Sequence, residues 1–191
     1  MELFVNHESD ANAEKFWREN GVFATDKLVG FNVGCSVETN RWLPERFAKV
    51  ADAFAVKGYK PVFFGGTMDD DLVSEAVANM RYTPIVATGY FTIDILASAV
   101  KRCELFITNH CGPMYVAVSQ NVPVVALYGS SSTKIYGPYT DNAVVVTANP
   151  PCMGCAGRMK HKCDNMQCMK NLTVEQVVEA AEKMLTLPNG Q

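Results

Sequence analysis

Residues 105–129, LFITNHCGPMYVAVSQNVPVVALYG, predict a strand, a tight polar turn, a short helix and a second strand in immediate succession. The apolar run that opens the stretch enters the turn at Asn109, the helix covers about 113–120, and the second strand covers 122–128. Pro113 suits the first helical position, where its missing N–H costs nothing. Such a turn presents free backbone N–H groups and the positive end of a helix dipole to an anion at the carboxyl end of a strand. The pattern therefore fits either an anion-binding turn or a crossover loop that binds nothing.

Strand and helix patterns also alternate along the rest of the chain. Strands are predicted at 27–34, 60–65, 84–88, 105–108, 122–128 and 142–147. Helices are predicted at 44–57, 69–80, 92–102, 113–120 and 173–185, and at 11–20 after a short strand fragment. Thr92 and Thr173 are placed to cap two of these helices. This order predicts an α/β, Rossmann-like parallel sheet with helices on both faces. We expect a lead-in segment over 1–26, a domain over 27–191 and an irregular stretch over 130–171.

The composition excludes several classes of protein. The chain has 191 residues, of which 48% are apolar and 19% charged, as in globular domains. Its formal net charge of −3 provides no basic field, so we expect no nucleic-acid partner. No apolar run approaches transmembrane length, and the first residues show no secretory leader pattern. We therefore expect a cytoplasmic protein.

Four loops are expected to converge at the carboxyl edge of such a sheet. They cover residues 34–42, 65–69, 89–92 and 109–114. The Gly65-Gly66-Thr67 turn fits either a ribose or phosphate contact or a plain strand-to-helix turn. The sequence has no GxxxxGK[ST] motif, no GxGxxG after a strand and no GxSxG elbow. P-loop phosphoryl transfer, most dinucleotide dehydrogenases and nucleophile-elbow hydrolases are therefore excluded.

Three side chains at this edge have two interpretations each. His110 is either a phosphate contact or general base, or a polar turn residue. Arg41 and Lys134 are either diphosphate partners or solvated surface cations.

Four of the seven cysteines cluster in a loop over 150–170. They are Cys152, Cys155, Cys163 and Cys168, with the spacing C-x2-C-x7-C-x4-C. Four thiolates suit a tetrahedral structural zinc, and His161 could replace one of them. In a reducing cytosol, metal-bound or free cysteines are favoured over disulfides. Zinc, two disulfides and free thiols all remain open.

The run TNHCGPMYVAVSQNVPVVALYGSSS resembles the donor-site signature of the family nine glycosyltransferases, the lipopolysaccharide heptosyltransferases and their relatives. That signature reads Asn-Asp-Ser-Gly-Pro-Met-His-Leu-Ala, followed by a proline-containing strand. Matching residues in this chain are Asn109, Gly112, Pro113, Met114, Ala117, Pro123 and Gly129. The segments NRWLPERFAKVADAF, VFFGGTMDD, TGYFTIDILASAVKRCELFIT and PPCMGC are similar to further family segments in the same order, so the resemblance runs from about Lys27 to Leu185.

The resemblance implies one half of a GT-B fold, the half that binds a nucleotide-diphosphate sugar such as ADP-heptose. It implies an inverting transfer that requires no metal, with no catalytic residue in this chain. The catalytic base and the site for a glycolipid acceptor would lie in a separate amino-terminal domain, and the full protein would work at the inner face of the membrane. The implied donor-binding residues are Ser36, Asn40, Arg41, Gly66, Thr92, Asn109, His110, Cys111, Gly112, Pro113 and Met114.

The sequence departs from the family pattern at four positions, which are 40, 110, 111 and 115. His110 stands for the acidic residue, Cys111 for the hydroxyl residue, and Tyr115 for the histidine. Asn40 stands for a lysine, which leaves Arg41 as the nearest cation. These changes favour an alternative, a non-catalytic nucleotide-binding or assembly module on the same scaffold. Another sugar-nucleotide enzyme, similar to GT-B epimerases, is a third possibility.

Overall fold

A six-stranded, wholly parallel sheet forms the centre of the protein, in the order β3-β2-β1-β4-β5-β6. The structure is a computed structural model that describes residues 3–149, 163 and 165–186. The strands are β1 Lys27–Asn32, β2 Tyr59–Gly65, β3 Ile85–Thr88, β4 Cys103–Asn109, β5 Val124–Leu127 and β6 Ala143–Val146. Phe31 of β1 is in register with Phe63 of β2 and with Ile107 of β4. The predicted Rossmann-like parallel sheet is therefore confirmed.

Eight helices accompany the strands in the described part of the chain. They are α1 His7–Glu19, α2 Pro44–Ala55, α3 Asp70–Ala78, α4 Ile93–Val100, α5 Gly112–Ser119, α6 Thr133–Tyr136, α7 Gln167–Lys170 and α8 Val174–Thr186. Short 3-10 turns at Glu38–Asn40 and Thr67–Asp69 follow β1 and β2. Among the described residues, no helix is long and apolar enough to span a bilayer.

Two hydrophobic cores lie on opposite faces of the sheet, because side chains alternate along each strand. Leu105 and Ile107 of β4 join one core, which α2, α3, α7 and α8 complete. Phe106, between them, joins the other core, which is formed with α1, α4 and α5. The central strands are covered on both sides, as their nearly continuous apolar sequences require.

The start of the chain differs from its prediction. The first helix begins at His7 rather than at residue 11, and residues 3–6 form no strand. Asn6 explains the earlier start, because its Oδ1 accepts the Ser9 N–H at 2.8 Å as an N-cap. Trp17 of this helix is 1% exposed and packs in the second core.

The two predicted threonine caps differ in the hydrogen bonds of their side chains. Thr173 caps α8 in a reciprocal box, in which Gln176 N–H donates to Thr173 Oγ1 at 3.2 Å and Thr173 N–H donates to Gln176 Oε1 at 2.9 Å. Thr92 occupies the N-cap position of α4, but its hydroxyl donates to Asp94 Oδ1 at 2.5 Å and caps no backbone N–H. The prediction that Thr92 is the N-cap residue is therefore confirmed, and its side chain makes no capping hydrogen bond.

The stretch over 130–171, predicted to be irregular apart from one strand, contains two short helices in its described part. These are α6 and α7, of four residues each. A single turn is too short to show a 3.6-residue hydrophobic period, so the sequence pattern missed both.

Candidate functional site

The point where the strand order reverses lies between β1 and β4, at the centre of the sheet. In open α/β sheets this switch point creates a crevice outside the carboxyl ends of the two strands. Here the crevice is a cleft of about 190 Å³. It is lined by Asn32, Gly34, Cys35, Ser36, Met68, Asp69, Cys111, Gly112 and Pro113. Four of the predicted binding residues, at positions 36 and 111–113, therefore share one cleft.

The amino terminus of α5 opens into this cleft. Apart from the adjacent residues and the helix backbone, a Cβ added to Gly112 would meet no heavy atom within 4 Å, so a side chain at this position would enter open space. Pro113 lies in the first turn, where no N–H partner is lost. The first N–H groups of the helix have no partners within it, and the dipole adds a partial positive charge. This helix end is therefore suited to an anion.

Cys111 occupies the N-cap of α5 but is not a reactive thiolate. Its Sγ donates to Asn109 O at 3.1 Å and accepts from Asn32 Nδ2 at 3.1 Å. Burial raises the pKa of the Cys111 thiol to about 12, so the group is neutral at pH 7. The positive end of α5 is thus not neutralised by a charge at its own cap.

Two predicted contact residues direct their side-chain amides into the protein. Asn109 is 0% exposed; its Nδ2 donates to Val33 O at 2.7 Å and its Oδ1 accepts from Trp42 N–H at 3.0 Å. These bonds join the end of β4 to both ends of the loop that follows β1. The side chain of Asn109 therefore supports the loop that borders the cleft and is not free to contact a ligand.

Asn40 has a similar role on the other side of that loop. Its Nδ2 donates to Ser131 Oγ at 2.9 Å, and its Oδ1 accepts from the Ser130 N–H at 3.1 Å and the Ser130 hydroxyl at 2.8 Å. Asn40 is 3% exposed. The asparagine that replaces the family's lysine thus connects the β1 loop to the residues after β5.

Asp69 is a cleft residue that sequence reasoning missed. Its Oδ2 accepts the Gly66 N–H at 3.0 Å, which also places the predicted residue Gly66 beside the cleft. A Cβ on Gly34 would lie 2.1 Å from Asp69 Oδ1, so the carboxylate occupies the space that a larger residue at 34 would need. An acidic residue four positions after the end of β2 was a visible signal, because Rossmann folds use this region to bind ribose hydroxyls.

Arg41 and Lys134 remain candidate cations near this edge. Arg41 Nε donates to Cys35 O at 2.6 Å, and its guanidinium lies 3.8 Å from Glu38 Oε1. About a third of the Arg41 side chain is exposed (32%), so it can still meet a ligand. Lys134 is exposed in α6.

His110 belongs to an aromatic cluster that the sequence did not reveal. Its ring stacks on Tyr128 with centroids 4.6 Å apart, and Tyr136 lies 5.6 Å away. His110 Nε2 is 3.3 Å from the Tyr115 hydroxyl, while the buried Nδ1 has no protein partner. Burial lowers the pKa of His110, so the ring is neutral at pH 7. The two departures at positions 110 and 115 therefore form one contacting pair.

The remaining predicted residues lie away from the open part of the cleft. Met114 is 0% exposed and packs in the second core, where its Sδ lies 3.6 Å from the Tyr128 hydroxyl. Thr92 lies at the start of α4, beyond β3 at one side of the sheet. Neither side chain lines the cleft beside Gly112.

The structure describes half of the predicted cysteine set. Cys152 and Cys155 lie outside the described residues. Cys168 is 6% exposed within the first core, and Cys163 Sγ accepts the Met166 N–H at 3.4 Å. In the described part of the chain, no three His, Cys, Asp or Glu side chains form a group that could hold a metal.

Comparison with known proteins is consistent with this architecture. The model of glycosyltransferase family 9 (heptosyltransferase) matches residues 2–166. Lipooligosaccharide heptosyltransferase 2 of Campylobacter jejuni (serotype O:2) is 31% identical over 167 residues, which cover 83% of this chain and 51% of that protein. The crystal structure of a family 9 glycosyl transferase from Veillonella parvula is 43% identical, with a TM-score of 0.89 over 97% of this chain and 53% of that one.

The structure of ADP-heptose LPS heptosyltransferase II from E. coli has a TM-score of 0.80 over 96% of this chain and 53% of that one. At 23% identity, this likeness supports the fold alone. The chain thus spans about half the length of the relatives it matches. The predicted relation to half of a GT-B glycosyltransferase is confirmed at the level of family and fold.

Proposed function

The chain belongs to glycosyltransferase family 9, and on that premise we propose that it is the donor-binding domain of a heptosyltransferase acting in lipopolysaccharide synthesis. The donor would be a nucleotide-diphosphate sugar of the ADP-heptose type, and the transfer would invert the sugar's anomeric configuration. The observation that supports this most strongly is the unobstructed amino terminus of α5 at the switch point of the sheet.

The residues around that helix end fit the parts of such a donor. The diphosphate would accept hydrogen bonds from the first N–H groups of α5 at Gly112, with Arg41 as the nearby cation. The Asp69 carboxylate would accept from the ribose hydroxyls, as acidic residues near the second strand do in dinucleotide-binding folds. The catalytic contribution would be to orient the donor and to stabilise the charge that builds up on the departing diphosphate.

The size of the cleft agrees with a site that needs a second partner. Its volume of about 190 Å³ is below the ~300 Å³ at which typical ligand pockets begin. The matched residues cover only 51–53% of the length of those relatives. We propose that the acceptor, a glycolipid at the inner face of the membrane, and the catalytic base belong to the part of those relatives that this chain does not span.

Calorimetric titration of the purified chain tests the donor proposal. ADP and ADP-heptose should bind, and GDP and UDP should bind more weakly. The variant Gly112→Val should reduce the affinity for ADP at least about tenfold, because its side chain occupies the space where a phosphate would lie. Gly112→Ala is the matched control for loss of glycine, with a smaller effect.

Two results would contradict the proposal. One is the absence of nucleotide binding by the folded chain, and the other is an unchanged ADP affinity in a folded Gly112→Val variant. Sugar transfer by the 191-residue chain alone would contradict the assignment of the base to a separate domain.

A non-catalytic nucleotide-binding or assembly module remains the second candidate. The specific observation in its favour is Asn40, whose amide hydrogen-bonds to Ser130 and Ser131 at the position where the family pattern has a lysine. If ADP binds equally well with and without its sugar, this second candidate is favoured, because a donor site must also recognise the sugar.

We also propose a structural zinc held by Cys152, Cys155, Cys163 and Cys168. The support is the spacing of the four thiols and the sparsity of apolar residues around them. The metal would stabilise the loop and take no part in the reaction. Elemental analysis of freshly reduced protein should give about one zinc per chain. Metal-free protein in which Cys152, Cys155 and Cys163 all react readily with a thiol reagent would exclude zinc, whereas the buried Cys35, Cys103 and Cys168 are not informative in this test.

A further inference from the structure

The carbonyl group of Tyr136 is a point of attachment for the segment that follows β5. This α6 segment, residues 133–139, contains one helical turn, in which the N–H groups of Ile135 and Tyr136 approach Ser132 O at 3.2 and 3.0 Å. The carbonyl oxygen of Tyr136 accepts two tyrosine hydroxyls from different parts of the fold. Tyr115 of α5 donates at 3.0 Å, and Tyr128, directly after β5, donates as well.

The two donating tyrosines are themselves firmly placed. Tyr128 is 0% exposed and stacks on the His110 ring. Because the Tyr115 proton goes to Tyr136 O, the Tyr115 oxygen accepts from His110, which places the ring proton on Nε2. Burial raises the pKa of both Tyr115 and Tyr128, so both hydroxyls keep their protons near neutral pH.

This anchor places the α6 segment beside the helix end that faces the cleft. Tyr115 lies in the first turn of α5, next to the N–H groups that have no partner within the helix. The segment brings one cation, Lys134, and the side chains of Ile135 and Tyr139, which are 61% and 66% exposed. A ligand bound at Gly112 would therefore have this segment on one side.

We propose that the α6 segment is a wall of the donor site and that Tyr115 and Tyr128 are positioning residues that hold it there. The proposal rests on the proposed function and extends it to residues outside the cleft itself. With the diphosphate at α5, the apolar surfaces of Ile135 and Tyr139 would pack on a ring of the nucleotide sugar, and Lys134 would add charge. Loss of the anchor should then weaken donor binding without a direct contact between the two hydroxyls and the ligand.

The test uses hydroxyl deletion with the rings retained. Tyr115→Phe, Tyr128→Phe and the double variant are compared with the wild-type chain by amide hydrogen exchange and by calorimetric titration with ADP-heptose. In the double variant, exchange at Ile135 and Tyr136 should accelerate about tenfold or more, since each lost hydrogen bond corresponds to roughly three- to tenfold. The affinity for ADP-heptose should fall by a similar factor, with each single variant in between.

Controls separate the anchor from general destabilisation. Exchange at Ile107 in β4 should be unchanged, and Tyr82→Phe, a hydroxyl deletion near α3, should match the wild type in both measurements.

Unchanged exchange at Tyr136 in the double variant would overturn the anchor. Accelerated exchange with unchanged ADP-heptose affinity would overturn the role as a wall. Absence of ADP-heptose binding by the wild-type chain would instead overturn the proposed function, while exchange would still decide the anchor.

Discussion

Two sets of residues meet at the carboxyl edge of the sheet and differ in where their polar atoms point. In the buried set, Asn40 and Asn109 use their side-chain amides to join loops to one another. In the open set, Gly112, Asp69 and Arg41 face the cleft or lie partly exposed near it. The motif that resembles a binding signature therefore contains both an open helix end at Gly112 and a buried amide, that of Asn109, which joins loops. Substitutions in the first set should change stability, and substitutions in the second set should change binding.

The largest effect is expected from the buried set. Asn109→Leu removes both amide bonds and leaves Val33 C=O and Trp42 N–H without their partners in the interior. Each such group costs about 1–3 kcal/mol, so the free energy of unfolding should fall by roughly 2–6 kcal/mol. Urea denaturation at pH 7 measures the change. The exposed residue Ser36 provides the control, since Ser36→Ala should alter stability by less than about 0.5 kcal/mol. An Asn109→Leu variant as stable as the wild type would remove the distinction between the two sets.

Two glycines that line the same cleft, Gly34 and Gly112, differ in the space around them. A Cβ on Gly34 would lie 2.1 Å from Asp69 Oδ1, whereas a Cβ on Gly112 meets nothing within 4 Å. Gly34→Ala should therefore displace the Asp69 carboxylate from Gly66 N–H and lower the free energy of unfolding by about 1 kcal/mol. Gly112→Ala should leave stability unchanged or raise it by about 0.5 kcal/mol through reduced chain entropy. Thermal unfolding of the two variants, side by side, measures the difference. Equal stabilities would show that the contact between Gly34 and Asp69 has no energetic weight.

These expectations also show which features the sequence could predict. The strands and the turn before α5 follow from long apolar runs and from Pro113, whose effects are local. The cap of α1 depends on Asn6 and that of α8 on Thr173 and Gln176, and of these residues only Thr173 was recognised. The direction of the Asn109 amide could not be predicted, because its partners, Val33 and Trp42, are distant in the chain.

In the candidate site too, features set by neighbouring residues in the sequence were predicted, and features set by contacts between distant residues were not. Gly112 was predicted from its own turn, and its environment is open as a ligand site requires. Asp69 and the aromatic cluster around His110 were missed, because both depend on packing between elements that are separate in sequence. The loops at 65–69 and 109–114 were expected at the same edge of the sheet, but the contacts that their side chains make were not predictable from the local pattern.

The smallest effect is expected on the pH dependence of stability and concerns His110. This residue is half-buried and so belongs to neither the buried nor the open set. Burial holds the pKa of His110 below its ordinary value, whereas in the unfolded chain the ring titrates near pH ~6.5. As the pH falls through that value, the unfolded chain takes up more protons at this site than the folded chain does. The contribution of His110 to stability is therefore complete above pH ~6.5 and decreases as the pH drops toward the folded pKa. Burial raises the pKa of Tyr115 and Tyr128, which contact the ring, so both stay protonated throughout and do not offset this loss.

The variant His110→Phe isolates this effect, since it keeps an aromatic ring against Tyr128 and removes the titrating group. Urea denaturation of both proteins at pH 7.5 and pH 5.5 gives the comparison. The wild type should lose more stability than His110→Phe over this interval, because all other titrating groups are common to the two proteins. The same loss in both would mean that the His110 ring takes up its proton as readily in the fold as in the unfolded chain, and would place His110 with the open set.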